Sequence, residues 1–284
     1  MGTEFASCYS DFGSEVTVVE YADRVLPIED KDCSKALEKA FKKRKIRVLT
    51  QHKVTGATPA AKTVKVDLEN MKKGSTETLT FDLVLVAAGR APCTTNIGLE
   101  TVGLSTDNRG LIAVDALCQT GAEGVYAIGD INPTPALAHV ASAEGIVVAE
   151  HIAGLTPPPV DYRRVPSCTY TRPEVASVGL TEAAATEAGY TVKVSKFPYS
   201  AIGKAKILGD TGGFVKVVAA EEFDEILGMH IVGPRATESI AEACVALGAE
   251  ATGAWYGQIM HAHPTLSETV QESIHQLNGH AIHI

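Results

Sequence analysis

Short runs of alternating or continuous apolar residues, and longer runs with a helical repeat, divide the chain into blocks. SEVTVVE (14–20) is a β-branched run closed by an acid, and a helical pattern over 4–12 precedes it. Helix then strand is the second half of a βαβ unit, so its first strand and most of its glycine turn are expected before residue 1. Residues 30–45 predict an amphipathic helix with Ala36, Leu37, Ala40 and Phe41 on one face. Short strands at 46–50, 54–58 and 63–69 and a turn from Lys72 follow. The apolar run 83–88 ends in Gly89 and Arg90 ahead of Pro92, the pattern of a buried strand leaving one domain for another. GVYAIGD (124–130) is a second such run and precedes a helical stretch over 138–154. Pro157, Pro158 and Pro159 predict a stiff linker. Beyond it, strands at 167–171, 190–200, 213–220 and 226–233 and helices at 236–247 and 266–277 predict an α+β module with an antiparallel sheet.

The 284 residues are 45% hydrophobic and 21% charged, enough for one large core or a few modest ones. A formal net charge of -9, with no sustained Lys/Arg stripe, argues against nucleic acid as the main partner. The basic run Lys42, Lys43, Arg44 and Lys45 closes a predicted helix, where cations suit the dipole. No apolar window reaches the roughly 18 residues of a spanning helix and no basic-then-apolar leader is visible, so neither membrane insertion nor secretion is expected. Cys8, Cys33, Cys93, Cys118, Cys168 and Cys244 lie far apart and form no C-x-x-C or C-x-x-x-x-C pair. Buried free thiols in a reducing compartment are expected, rather than a zinc knuckle or a local redox disulfide.

Three motifs carry candidate chemistry. Glu20, at the carboxyl end of its predicted strand, has the place of a carboxylate that accepts hydrogen bonds from ribose hydroxyls, although an exposed acid after a strand is also ordinary. In GVYAIGD an apolar run delivers Asp130 to a glycine turn before a helix, a place for a sugar-alcohol hydroxyl beside a helix N-terminus that suits a phosphate or a flavin edge; turn chemistry explains the same pair of residues. In HAHPTLSE (261–268), Pro264 before a helix start leaves His263 on a loop with Glu268 within reach. Lone histidines are usually structural, but a carboxylate partner fixes the imidazole tautomer, as a general base requires.

VTVVE, VLVAAGRAP, GVYAIGD, ALAHVASAEG, VPSCTYTRPEVASVGLTE, GFVKVVA, ILGMHIVGPRATE and HAHPTLSE occur in that order. Together they resemble the pyridine nucleotide-disulfide oxidoreductases over essentially the whole chain, and within that class the set is most similar to the dihydrolipoamide dehydrogenases. The resemblance implies an α/β plus α+β fold: a partial Rossmann-like NAD-binding domain (1–88), a central FAD-contacting segment (89–157) and a C-terminal dimerisation domain (160–284). It implies oxidation of protein-bound dihydrolipoamide with FAD and NAD as cofactors. His263 is then the proton acceptor and Glu268 its partner. Glu20, Gly2, Glu4, Val54 and Gly89 line the nicotinamide nucleotide, and Asp130, Ala136, Leu137, Ala138 and His139 line FAD. It also implies a homodimer through the C-terminal domain, lipoyl domains or the core of 2-oxo acid dehydrogenase complexes as partners, and the mitochondrial matrix or bacterial cytoplasm as compartment.

The departures set further expectations. The family's N-terminal FAD-binding βαβ unit and its C-x-x-x-x-C redox disulfide are missing, and only Gly2 remains of the NAD-site glycine loop, so the chain alone is expected neither to hold FAD firmly nor to turn over. Arg172 and Met260 stand where the family often has His and Cys. Two alternatives stay open: a glutathione- or mercuric-reductase-like enzyme, against which Glu20 favours NAD over NADP, and a non-catalytic dimerisation or structural subunit derived from the enzyme.

Overall fold

A computed structural model describes residues 1–284. Helix α1 (Gly2–Asp11) leads to strand β1 (Thr17–Val19), and helix α2 (Lys31–Lys43) returns the chain to strand β2 (Arg47–Leu49), which pairs with β1 in parallel. The Asp30 side chain caps α2 by accepting the Asp32 N–H at 2.9 Å, and Lys42 and Lys43 occupy its last turn. The helical repeat buries Cys33, Leu37 and Phe41. An antiparallel three-stranded sheet follows, β3 (His52–Pro59), β4 (Val64–Asn70) and β5 (Ser75–Phe81). The last of these, STETLTF, has no buried position, and its apolar alternation is confined to Leu79 and Phe81, too short to reveal a strand.

The run 83–88 is no buried strand: Leu83, Val84, Leu85 and Val86 are 71%, 40%, 48% and 82% exposed and join no sheet. An apolar run becomes a strand only when a neighbour pairs its backbone, and the parallel sheet here holds β1 and β2 alone.

Residues 88–165 form a separate compact unit. Its one long helix is α3 (Ala138–Ile152). GVYAIGD forms an isolated antiparallel bridge, Gln119 with Tyr126, and a 3-10 turn (Gly129–Ile131), in place of the expected strand. Gly129 has φ +71°, which breaks extended structure there.

The C-terminal part is a five-stranded antiparallel sheet in the order β6–β7–β10–β9–β8, with β6 (Ser167–Thr169), β7 (Glu174–Gly179), β8 (Val192–Pro198), β9 (Phe214–Ala220) and β10 (Ile226–Gly233). Helices α4 (Glu182–Glu187), α5 (Gly203–Leu208), α6 (Ala236–Gly248), α7 (Gly253–Tyr256) and α8 (Glu268–Leu277) surround it. Every residue of β9 and β10 is buried because both sheet faces are covered. Val215, Val217, Met229 and Ile231 pack with residues of α6 and α8, while Phe214 and Val232 pack with Ala6, Leu37 and Phe41 of the N-terminal helices. The period of two thus joins residues 1–87 and 166–284 into one unit. Cys8 and Cys93 are exposed, so the expectation of buried thiols fails for those two; all six cysteines are free. No helix is long and apolar enough to cross a membrane.

Candidate active site

HAHPTLSE follows α7 after a short connection (257–260) and ends at the first residue of α8. Pro264 interrupts any helix, and the Thr265 hydroxyl donates to the Ala262 carbonyl at 2.7 Å, turning the chain. Glu268, the first residue of α8, faces back: its Oε2 accepts the Thr265 N–H at 2.8 Å and its Oε1 lies 2.8 Å from His263 Nδ1. Behind the site, Val270 and Ile274 are fully buried against the sheet, and the Ser273 hydroxyl donates to the Val215 carbonyl at 3.0 Å. Glu268 therefore stands on a helix whose register is fixed, and the loop before it carries His263.

Electrostatics assigns the proton. Ionised Glu268 has only acceptors, so His263 Nδ1 must carry hydrogen, and in the neutral ring Nε2 is the base. The ring is 73% exposed while the carboxylate is 12% exposed, so Nε2 is open to an incoming group and its partner is not. Burial pushes the Glu268 carboxyl up, but the Thr265 N–H and the bond and charge of His263 more than offset this, and it stays below its ordinary value.

A second pair lies beside it without a sequence signal. His261 Nε2 is 2.5 Å from Glu242 Oε1 on α6, and its Nδ1 is 3.1 Å from the Ile259 carbonyl. The bond to Glu242 raises the His261 pKa against the opposing effect of burial. With both ring nitrogens engaged and the ring buried, His261 moors the loop that presents His263.

The residues expected at the nicotinamide nucleotide are placed as follows. Gly2 and Glu4 start α1, and Glu4 Oε1 accepts the Tyr170 N–H at 2.9 Å. Glu20 extends β1: its N–H donates to the Leu49 carbonyl at 2.9 Å, its carbonyl accepts the His52 N–H at 3.0 Å, and Oε1 accepts the Ala22 N–H at 2.8 Å. A part-exposed carboxylate fixed through one oxygen fits neighbouring sugar hydroxyls and repels a phosphate. Val54 is exposed on β3.

In the unit 88–165, Gly89 has φ +91°, a conformation glycine adopts at no steric cost. Arg90 brings two predicted positions together, with Nη1 2.9 Å from Asp130 Oδ2 and Nη2 donating to the Ala136 carbonyl at 2.6 Å. Leu137 precedes α3 with no side-chain cap, Ala138 and His139 begin the helix, and Ala136, Ala138 and His139 are exposed. A half-exposed carboxylate beside an uncapped helix start fits a ligand carrying both hydroxyl and anionic groups. The Arg90 clamp lies within the GRAP motif, but its partners were not legible there.

Comparison with known proteins gives one answer throughout. Residues 1–145 match the family model described as pyridine nucleotide-disulphide oxidoreductase, and 165–274 match its dimerisation domain. The chain is 46% identical over 283 residues to dihydrolipoyl dehydrogenase of Bacillus subtilis, covering 100% of this chain and 60% of that protein. It is 40% identical over 284 residues to the mitochondrial dihydrolipoyl dehydrogenase of Pisum sativum, covering 100% and 56%. Among solved structures, LpdA of Mycobacterium tuberculosis superposes with a TM-score of 0.88 at 30% identity, over 97% of this chain and 59% of that one. The HOCl-induced flavoprotein disulfide reductase RclA of Escherichia coli gives 0.88 at 26% identity, over 96% and 61%. The chain thus spans about three fifths of the length of the curated relatives it matches.

Proposed function

The chain belongs to the pyridine nucleotide-disulphide oxidoreductase family, and on that premise we propose that it serves the NAD-linked oxidation of protein-bound dihydrolipoamide, with His263 Nε2 as the proton acceptor. The observation that carries this reading is the 2.8 Å bond from His263 Nδ1 to a carboxylate that also holds the Thr265 N–H. Nε2 takes the proton of a substrate thiol, the S–H bond breaks, and the thiolate left behind is the nucleophilic form. Glu268 then faces an imidazolium and stabilises it.

FAD and NAD would supply the redox chemistry. Asp130 and 136–139 are the residues of this chain for FAD, and Glu20, with Gly2, Glu4, Val54 and Gly89, those for NAD. The same reading makes 1–88 the nucleotide-binding part, 89–157 the flavin-contacting segment and 160–284 the dimerisation domain. A homodimer, lipoyl-bearing partner domains and a matrix or bacterial cytoplasmic location accompany it. In steady-state assays of lipoamide-dependent NADH formation by mixed dimers of this chain with a full-length relative whose own base has been mutated, His263→Ala in this chain is expected to lower kcat by about a hundredfold to ten-thousandfold. Unchanged turnover in a folded variant contradicts the reading.

A further inference from the structure

The deepest acid in residues 88–165 is none of the predicted contacts. Glu144, on α3, is fully buried. Its Oε2 accepts the Gly129 N–H at 2.7 Å, and its Oε1 accepts the Tyr162 hydroxyl at 2.8 Å and lies 2.7 Å from the Thr134 hydroxyl. That hydroxyl also meets Asn132 Oδ1, and Asn132 is itself buried. Three segments therefore converge on one carboxylate: the Gly129 turn, the loop at 132–134 and the chain beyond the triple proline. Burying a carboxylate is unfavourable unless donors surround it, so a group that only filled space would be apolar.

What the carboxylate holds points to its use. Gly129 and Asp130 share one 3-10 turn, and a Cβ on Gly129 would meet the Ala141 Cβ at 3.2 Å, so the turn lies tight on α3. The bond to the Gly129 N–H fixes that turn from the buried side, and Arg90 holds the Asp130 carboxylate from the exposed side. We infer that Glu144 is a positioning residue for the flavin site, setting through the Gly129 N–H where Asp130 presents its carboxylate to a ligand hydroxyl. This rests on the reading of Asp130 as a flavin contact. A charge-assisted bond from a backbone amide is a strong way to locate a turn whose glycine has no side chain to anchor it.

The test is a double-mutant cycle on the FAD dissociation constant of the protein, measured by flavin fluorescence, with the visible flavin absorption band recorded for each variant. Asp130→Ala is expected to weaken binding, and Glu144→Ala to weaken it by about tenfold to a hundredfold. The double variant should be close to Asp130→Ala alone, because Glu144 acts through Asp130. Glu144→Gln should restore most of the affinity and the wild-type band, since its amide oxygen can take the Gly129 N–H and hydroxyl protons rotate to suit its NH2. Should Glu144→Ala fail to fold, Glu144→Asp, one methylene short of the amide, replaces it in the cycle. Losses that multiply independently, or no rescue by a folded Glu144→Gln, overturn the positioning role while leaving Asp130 as a contact. Unchanged FAD binding in Asp130→Ala overturns both.

Discussion

His263 and Glu268 are five residues apart, and the bond between them requires only a loop entering a helix. That proximity in sequence is why the pair was legible beforehand. Glu268→Gln keeps the shape but loses the charge that faces the imidazolium, and is expected to lower kcat by up to about a hundredfold, less than His263→Ala. The carboxyl lies below its ordinary value, so its contribution to stability is present above the ordinary carboxylate range and is lost as pH falls through the lowered value. Thermal unfolding should show Glu268→Gln less stable than the parent at neutral pH and equal to it in strong acid. The His261–Glu242 pair has the opposite sign. Its histidine pKa is raised, so its stabilisation is present below the ordinary imidazole value and disappears as pH rises through the raised one. A gap in unfolding temperature between the parent and Glu242→Gln should therefore narrow as pH rises, and a gap that widens refutes the pairing. This second pair spans 19 residues and two elements, and no local spacing rule announces it.

Among elements, the contact of α2 with the C-terminal sheet turns on a charge in the core. Lys216 on β9 is 4% exposed, and its Nζ lies 3.0 Å from both Asp30 carboxylate oxygens, 3.3 Å from Asp32 Oδ2 and 2.8 Å from Glu182 Oε2. Burial pushes the ammonium down, but the bonds to Glu182 and Asp30 and the charge of Asp32 more than offset this, so it remains charged. Lys216→Met leaves three carboxylates facing an apolar group, and about 3–5 kcal/mol should be lost in denaturant unfolding. A loss below about 1 kcal/mol would show that water or rearrangement already compensates the cluster. Continuous apolar runs and helical repeats made β9, β10, α2, α6 and α8 legible. The same rule misread 83–88, whose apolarity is real but whose backbone no strand pairs, and missed β5, which has only Leu79 and Phe81 as apolar residues and no buried position. Apolarity reports what a segment can bury; pairing depends on neighbours that no local pattern encodes.

For the molecule as a whole, the five-stranded module and the 1–87 segment are one unit, whereas the pattern alone had divided the chain at its prolines. Contacts distant in sequence, such as Lys216 with Asp30, decide that grouping. Nucleotide choice belongs at this scale too. Glu20 is expected to make NAD bind at least about tenfold tighter than NADP in calorimetric titration, since a 2'-phosphate meets a fixed carboxylate, and equal affinities would remove Glu20 from the site. The central claim, that His263 Nε2 accepts the substrate thiol's proton, is tested most directly by stopped-flow reduction, with dihydrolipoamide across pH, of mixed dimers of this chain with a full-length relative whose own base has been mutated. With the base in place the rate at neutral pH does not depend on preformed thiolate. In His263→Ala only that thiolate can react, so the rate should be low near pH 6 and rise about tenfold per pH unit until the substrate thiol is ionised. Parallel pH profiles for the parent and His263→Ala, differing by no pH-dependent factor, would contradict the account.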